Sequence, residues 1–202
     1  MKLFPAFYFG PIDYFARMVQ TENYLIEKHE NFQKQTYRNR CLVLGANGVL
    51  RLAIPILHNG QRQMKDIQPS YDYDWQKEHF KSLVAAYKSS PYFEFYEDDL
   101  APIYEKQEKY LLDLNLKTID FIQSKLKLEV TYSLTDQYET VEEENDYRDL
   151  FKAKEERITL PEYYQVFDGK FEFQSNLSIL DLLFNEGPAA STYLKNIKKN
   201  LS

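Results

Sequence analysis

The residues best suited to chemistry lie together in one segment, Asn31-Phe32-Gln33-Lys34-Gln35-Thr36-Tyr37-Arg38-Asn39-Arg40-Cys41. If this segment is extended, side chains two positions apart share a face, which places Lys34, Arg38 and Arg40 together. Two neighbouring guanidinium forks bind phosphate or carboxylate oxygens with a geometry that one lysine lacks. The segment therefore predicts an anion-binding site. The alternative is that these arginines pair with carboxylates elsewhere in the fold.

Two of the three histidines are placed for proton transfer. Imidazole titrates near neutral pH and serves as a general acid or base. His79 lies one helical turn after Trp75 in a predicted helix. His29 follows a predicted strand, where catalytic residues collect in α/β folds. For His79 the alternative is a packed, hydrogen-bonded core residue, and His58 is predicted as an exposed turn residue.

Aromatic and amide side chains near these groups complete the predicted ligand site. Tyr37 and Trp75 offer rings on which a ligand can stack, and the turn from Gly10 to Tyr14 is predicted to close the same concave surface around Arg38 and Arg40. The predicted substrate-binding residues are Lys34, Tyr37, Arg38, Asn39, Arg40, Trp75 and Tyr14.

Charge is unevenly distributed along the 202-residue chain, whose formal net charge is −6. That balance disfavours general nucleic-acid binding, which depends on neutralising phosphates. Residues 31–65 carry +6 and no acidic residue, which leaves −12 for the remainder. This separation favours a local anion site on an acidic body, with a small anionic ligand as partner. The six cations of the basic window are Lys34, Arg38, Arg40, Arg51, Arg62 and Lys65.

Cysteine count and missing motifs exclude several classes of protein. Cys41 is the single cysteine, so no internal disulfide forms, and a buried, inert thiol in a reducing cytoplasm is expected. The chain has no GxSxG, P-loop, GxGxxG or HExxH motif, and neither a metal nor a cofactor is predicted. No apolar run reaches the ~20 residues of a membrane span, and no signal-peptide cleavage site is present. A composition that is 44% hydrophobic predicts one globular domain over residues 1–202.

The hydrophobic pattern predicts an α/β fold with a mixed sheet flanked by helices, with α+β as the alternative. Strands over Leu3–Phe9 and Tyr24–Ile26 with a helix over Ile12–Gln20 predict a βαβ-like opening. Alternation over residues 40–54 predicts an antiparallel hairpin, with positive φ at Asn47-Gly48. The other predicted elements are a strand over Glu129–Leu134 and helices over Trp75–Lys88, Ile103–Leu126, Ile179–Phe184 and Pro188–Lys199.

Several blocks of the chain resemble the WbqC-like protein family, and the likeness is closest to its shorter form in Bacteroidetes. Two departures stand out. The opening keeps only part of the family's tyrosine-proline-tryptophan-glycine pattern. Lys170-Phe171-Glu172-Phe173 stands where the family pattern has Lys-His-Gly-Phe, so any role of that histidine is absent here. The blocks that carry the resemblance are Phe9–Phe15, Gln33–Cys41, Trp75 with His79, Ser90–Phe93 and Asn176–Pro188.

The family is associated with bacterial O-antigen and other surface-polysaccharide gene clusters, so the resemblance implies work on a sugar or nucleotide-sugar without defining a reaction. One hypothesis is a cytoplasmic transferase acting on a nucleotide, nucleotide-sugar or sugar phosphate. In it Arg38 and Arg40 hold the anion, Tyr37 and Trp75 stack on a ring, and His79 moves a proton. The other is a non-catalytic module that binds an anionic glycan precursor or a partner protein. A His79 side chain turned into the core favours the binding module.

Overall fold

The computed structural model describes residues 1–153 and 158–197. Its order of elements follows the predicted pattern, with short strands in the first half and most helices after them. In chain order the elements are β1 (Lys2–Phe4), α1 (Ile12–Met18), β2 (Asn23–Ile26), β3 (Arg40–Gly45), β4 (Gly48–Ala53), α2 (Trp75–Tyr87), α3 (Phe93–Glu105), α4 (Leu111–Lys125), β5 (Thr131–Leu134), α5 (Ile179–Glu186) and α6 (Ala189–Asn196).

A small parallel sheet confirms the predicted βαβ opening. β1 pairs with β2 and β2 pairs with β5, both in parallel, and the strand order is β1-β2-β5. β1 ends before Pro5, because proline has no N–H to donate to a ladder. The carboxyl ends of parallel strands lie at one edge of a sheet, so Glu27 after β2 and Thr135 after β5 come close enough to hydrogen-bond.

The predicted hairpin at residues 40–54 is confirmed, and within the described residues it forms its own two-stranded sheet. β3 and β4 pair in antiparallel register from Arg40 opposite Ala53 to Gly45 opposite Gly48. The positive φ that closes the turn belongs to Gly48, at 105°, and not to Asn47. Glycine adopts this conformation without the steric cost that a Cβ would bring.

The predicted long helix over 103–126 is wrong, because two helices, α3 and α4, occupy that region. Pro102 lies inside α3 near its end, where only the carbonyl of Asp98 loses its helical partner. α4 starts afresh at Leu111, whose N–H donates to the carbonyl of Ile67. α2 begins as predicted after an Asp74 cap, and α6 ends at Asn196, so residues 198–199 of the predicted last helix lie outside the described residues.

Aromatic rings fill the core between the sheets and the helices. β1 and the segment that follows it bury four rings without exposure, and α5 is buried along nearly its whole length. Among the described residues, no helix combines the length and apolar character of a membrane span. The fully buried rings of the opening segment belong to Phe4, Phe7, Tyr8 and Phe9.

Candidate functional site

Three of the predicted ligand-binding aromatics lie in the core. Trp75 and Tyr14 have no exposed surface, and Tyr37 is buried as well. The Tyr14 hydroxyl donates to the carbonyl of Pro5 at 2.6 Å, and the Trp75 ring stacks on Tyr71 with centroids 5.8 Å apart. The predicted concave surface that included Trp75 and Tyr14 is therefore wrong, since packing against other rings encloses both side chains.

Arg38 also lies inside the protein, where 1% of its surface is exposed. Its Nε and Nη2 donate to the two carboxylate oxygens of Glu30 at 2.8 and 2.5 Å, and Nη2 also donates to the carbonyl of Arg148. The chain turns over residues 34–39, with Gln35 at a φ of 62°, instead of extending. This turn separates Arg38 from Arg40, and Arg38 takes the internal carboxylate partner that the sequence left open as its alternative.

His79 is a core residue. Its Nδ1 lies 3.1 Å from the Tyr8 hydroxyl, a backbone hydrogen bond joins it to Ala53, and its ring meets Trp75 edge-on at 5.1 Å. Burial lowers the pKa of His79 from 6.5 to about 4. The imidazole is therefore neutral at physiological pH and is enclosed by protein groups. A role in moving a ligand's proton does not fit this position.

Lys34, Asn39 and Arg40 do come together, in a cavity of about 480 Å³. Arg62 and His58 line the same cavity, and no aspartate or glutamate of residues 1–153 and 158–197 does. The sequence places Arg62 in the basic window but not among the predicted site residues, and it predicts His58 only as an exposed turn residue. Neither position is marked by local spacing. We refer to this space, defined by Lys34, Arg40, Arg62 and His58, as the basic cavity.

The cations of the basic cavity are uncompensated. Within the described residues neither Lys34, Arg40 nor Arg62 forms an ion pair. The Nε of Arg40 and the Oδ1 of Asn39 are buried without a hydrogen-bond partner. Partial burial lowers the pKa of Arg40, and the like charge of Arg51 adds to this effect. An anion entering the cavity would meet attractive charge that no carboxylate among the described residues neutralises through an ion pair.

Backbone hydrogen bonds fix the walls of the basic cavity. The N–H of Ile54 donates to the carbonyl of Asn39 at 2.8 Å, and the Asn39 side-chain amide donates to the carbonyl of Ile54 at 2.9 Å. On the opposite wall the N–H of Phe32 donates to the carbonyl of Arg62 at 2.7 Å. A mostly apolar wall with a few placed polar groups is typical of small-molecule sites. The apolar residues are Phe32, Ile54, Pro55, Ile56, Leu57 and Ile67.

His29 lines a separate cavity of about 560 Å³ beyond the carboxyl ends of the parallel strands. Its position after β2 is as predicted. Because His29 and Arg40 line different cavities, the structure does not unite the predicted proton-transfer residue with the predicted anion-binding residues. A catalytic role for His29 stays a prediction.

A comparison with known protein families matches most of the chain, including the part that lines the basic cavity and the cavity of His29. The model of the WbqC-like protein family matches residues 6–159. The chain belongs to the WbqC-like protein family. A relative from Mycobacterium tuberculosis (strain ATCC 25618 / H37Rv), named "Uncharacterized protein Rv1507c", is 27% identical over 214 residues, which cover 90% of this chain and 91% of the relative. No solved structure matches the chain.

This WbqC-like chain has a larger cavity, of about 950 Å³, that lies almost wholly beyond the residues matched by the family model. Phe171 and Glu172, which depart from the family pattern, line it together with Glu162 and Asp168, and among the residues that the structure describes no lysine or arginine does. Its negative lining disfavours phosphate. The described lining residues of the two cavities therefore differ in the sign of their charge as well as in volume.

Proposed function

We propose that this protein binds a small phosphate-bearing molecule, such as a nucleotide, nucleotide-sugar or sugar phosphate, in the basic cavity. The observation that carries the proposal is the set of three cations, Lys34, Arg40 and Arg62, that share a cavity in which the described part of the chain places no carboxylate. Guanidinium and ammonium groups are the side chains that bind phosphate oxygens most strongly. The apolar wall beside them suits the uncharged part of such a ligand.

Non-catalytic binding is the form of this function that the geometry supports best. The proposed proton carrier of the transferase hypothesis, His79, is buried beside Tyr8 and Trp75 and lines no part of the basic cavity. The association of the family with surface-polysaccharide gene clusters supports a glycan precursor as the ligand. A cytoplasmic location, where phosphorylated and nucleotide-linked sugars are made, belongs to the same proposal.

A transferase acting on the same ligand is the second candidate, and one observation favours it. His58 is an exposed imidazole that lines the basic cavity with the cations. An imidazole at that place can accept or donate a proton during transfer. In this form of the proposal, His58→Gln abolishes turnover of a nucleotide-sugar or sugar phosphate while binding persists.

Thermal unfolding in the presence of phosphate compounds tests the binding proposal. A ligand present at about 100 times its dissociation constant stabilises the native state by ~2.7 kcal/mol. For a chain of this length that corresponds to a rise in Tm of roughly 5–10 °C. We expect this rise with a nucleotide, a nucleotide-sugar or a sugar phosphate, and a smaller one with inorganic phosphate.

Matched lysine variants identify the cavity. Lys34→Met and Lys81→Met each remove an exposed lysine, but only Lys34 lines the basic cavity. Lys34→Met and Arg62→Met should reduce the ligand-induced shift and leave the Tm without ligand nearly unchanged, whereas Lys81→Met keeps the full shift. No shift for the parent protein with any phosphate compound, or an equal loss in Lys81→Met, would contradict the proposal.

A further inference from the structure

One short ribbon separates the basic cavity from the cavity that His29 lines. Asn31 and Gln63 form an antiparallel bridge, and the N–H of Met64 donates to the carbonyl of Glu30 at 2.9 Å. Side chains alternate between the two sides of the ribbon. Phe32, Lys34 and Arg62 line the basic cavity, whereas Asn31, Gln33 and Gln63 line the other one. We refer to the second space, defined by His29, Asn31, Gln63, Arg148 and Asp149, as the polar cavity.

Ion pairs engage most charged groups around the polar cavity, but the carboxylates outnumber the arginines. Both carboxylate oxygens of Glu30 accept from Arg38, and both oxygens of Asp146 accept from Arg148 at 2.8 and 2.5 Å. The Glu27 carboxylate, which has no exposed surface, accepts hydrogen bonds from the N–H groups of His29 and Glu139 and from the hydroxyl of Thr135. Its Oε2 also lies 3.6 Å from Nη1 of Arg148. A phosphate would meet several carboxylates here, and its charge is therefore disfavoured. The ionic groups serve instead to hold the walls in place.

The hydrogen-bonding capacity that is left over belongs to the uncharged side chains of Asn31, Gln63 and His29, and also to Nη1 of Arg148 and to Asp149. Within the described residues no hydrogen bond engages the side-chain amide of Asn31 or of Gln63, and the Nε2 of His29 is buried without a partner. Only Oδ1 of Asp149 accepts a hydrogen bond from Gln33, so its Oδ2 can accept one from a ligand. Amide and imidazole groups both donate and accept, and a hydroxyl group does the same.

We propose that the polar cavity is a second binding site, for a neutral polyhydroxylated small molecule, the chemical class that includes uncharged sugars. The cavity lies beyond the carboxyl ends of the parallel strands, where ligands bind in open α/β sheets. Its volume, about 560 Å³, is within the range of small-molecule sites. The amides of Asn31 and Gln63 and the unpartnered His29 nitrogen supply donors and acceptors for hydroxyl groups, and the excess of carboxylates disfavours an anion. The proposal is independent of ligand binding in the basic cavity.

Imidazole NMR of the whole protein tests both cavities at once, because the three histidines lie in three different environments. His29 lines the polar cavity, His58 lines the basic cavity, and His79 is in the core. Glucose, galactose and N-acetylglucosamine are the neutral probes, and inorganic phosphate is the anionic probe. We expect at least one sugar to shift the ¹⁵N signals of His29 saturably, with those of His79 unmoved. Phosphate acts on His58 instead, so the failure of either proposal is seen separately.

Two alanine variants and one control locate the sugar. Asn31→Ala and Gln63→Ala each remove an unpartnered amide from the polar cavity and should weaken the His29 response at least severalfold. Gln61→Ala removes an exposed amide two positions away that lines the basic cavity, and it should leave the response intact. The proposal is overturned if no sugar shifts the ¹⁵N signals of His29, or if the response survives in both variants. It is also overturned if ethanolamine, a small cationic amino alcohol, shifts these signals more strongly than the neutral sugars do.

Discussion

The buried pair between Arg38 and Glu30 leads to the sharpest stability prediction. Arg38→Met keeps much of the apolar volume but leaves the Glu30 carboxylate, which is 4% exposed, without its two guanidinium donors. Removing one partner of a buried ion pair costs about 3–5 kcal/mol, because the remaining charge is desolvated and uncompensated. For a chain of this length we expect the Tm to fall by roughly 6–20 °C.

A double variant separates loss of the pair from loss of packing. Glu30→Gln combined with Arg38→Met removes both charges, so its free energy of unfolding should exceed that of Arg38→Met alone. The coupling energy in the double-mutant cycle should reach at least about 1 kcal/mol, as expected for residues in direct contact. Arg62→Met is the matched control, since it removes an exposed arginine without an ion pair and should change stability by less than about 0.5 kcal/mol.

The same variant should depend on pH in a defined direction. Burial raises the pKa of Glu30, and the hydrogen bond and charge of Arg38 oppose that rise. Without Arg38 the pKa of Glu30 rises further, so the native state binds more protons than the unfolded state above the ordinary glutamate pKa. The deficit of Arg38→Met should therefore shrink as the pH is lowered from about 7 to about 5.

Urea unfolding followed by circular dichroism at both pH values provides the measurements. A loss below about 1 kcal/mol for Arg38→Met at neutral pH would refute the buried-pair reasoning. The same conclusion would follow if the double variant were no more stable than Arg38→Met, or if acidification enlarged the deficit. Each result would mean that solvent or another group compensates the negative charge of the Glu30 carboxylate when Arg38 is absent.

Three further predictions concern buried groups and one glycine. Because the pKa of His79 is lowered from 6.5 to about 4, the unfolded state binds more protons than the native state between these two pH values. The free energy of unfolding should therefore fall by up to ~3 kcal/mol as the pH is lowered through this range. An NMR titration of His79 checks the pKa, and His79→Gln should show a flatter dependence of stability on pH. Cys41 is buried and burial raises its thiol pKa, so a thiol-specific reagent should modify it no faster than the protein unfolds, and rapid labelling of the native protein would refute this. Gly187→Ala should lower the free energy of unfolding by about 2–3 kcal/mol, because φ is 53° and the new Cβ would lie 2.5 Å from the Tyr92 ring. Gly169→Ala is the control, since φ is 81° but the space around it is open, and it should lower the free energy of unfolding by only about 1 kcal/mol. Thermal unfolding measures both values.

The sequence alone determined the local elements of this fold. Alternating apolar residues over 40–54 specify the hairpin, and the turn at Gly10-Pro11 followed by an apolar stripe specifies the βαβ opening. Asp74 marks the start of α2 because its side chain accepts from the N–H of Lys77. These features depend on side-chain periodicity and caps within a few residues, which are written in the sequence itself. The misjudged helix over 103–126 has the same origin, since residues 106–110, between α3 and α4, contain no glycine or proline that would mark the break.

Only the tertiary structure decided which polar residues are available to a ligand. Arg38 and Arg40 are two positions apart in one segment, yet a turn sends the first to Glu30 in the core and the second to the basic cavity. Arg62 and His58 enter that cavity through pairing between distant segments, which no local spacing records. Burial and ion pairing depend on contacts between residues far apart in sequence. The sequence therefore predicts an anion site near Arg40, but only the fold shows which side chains line the basic cavity.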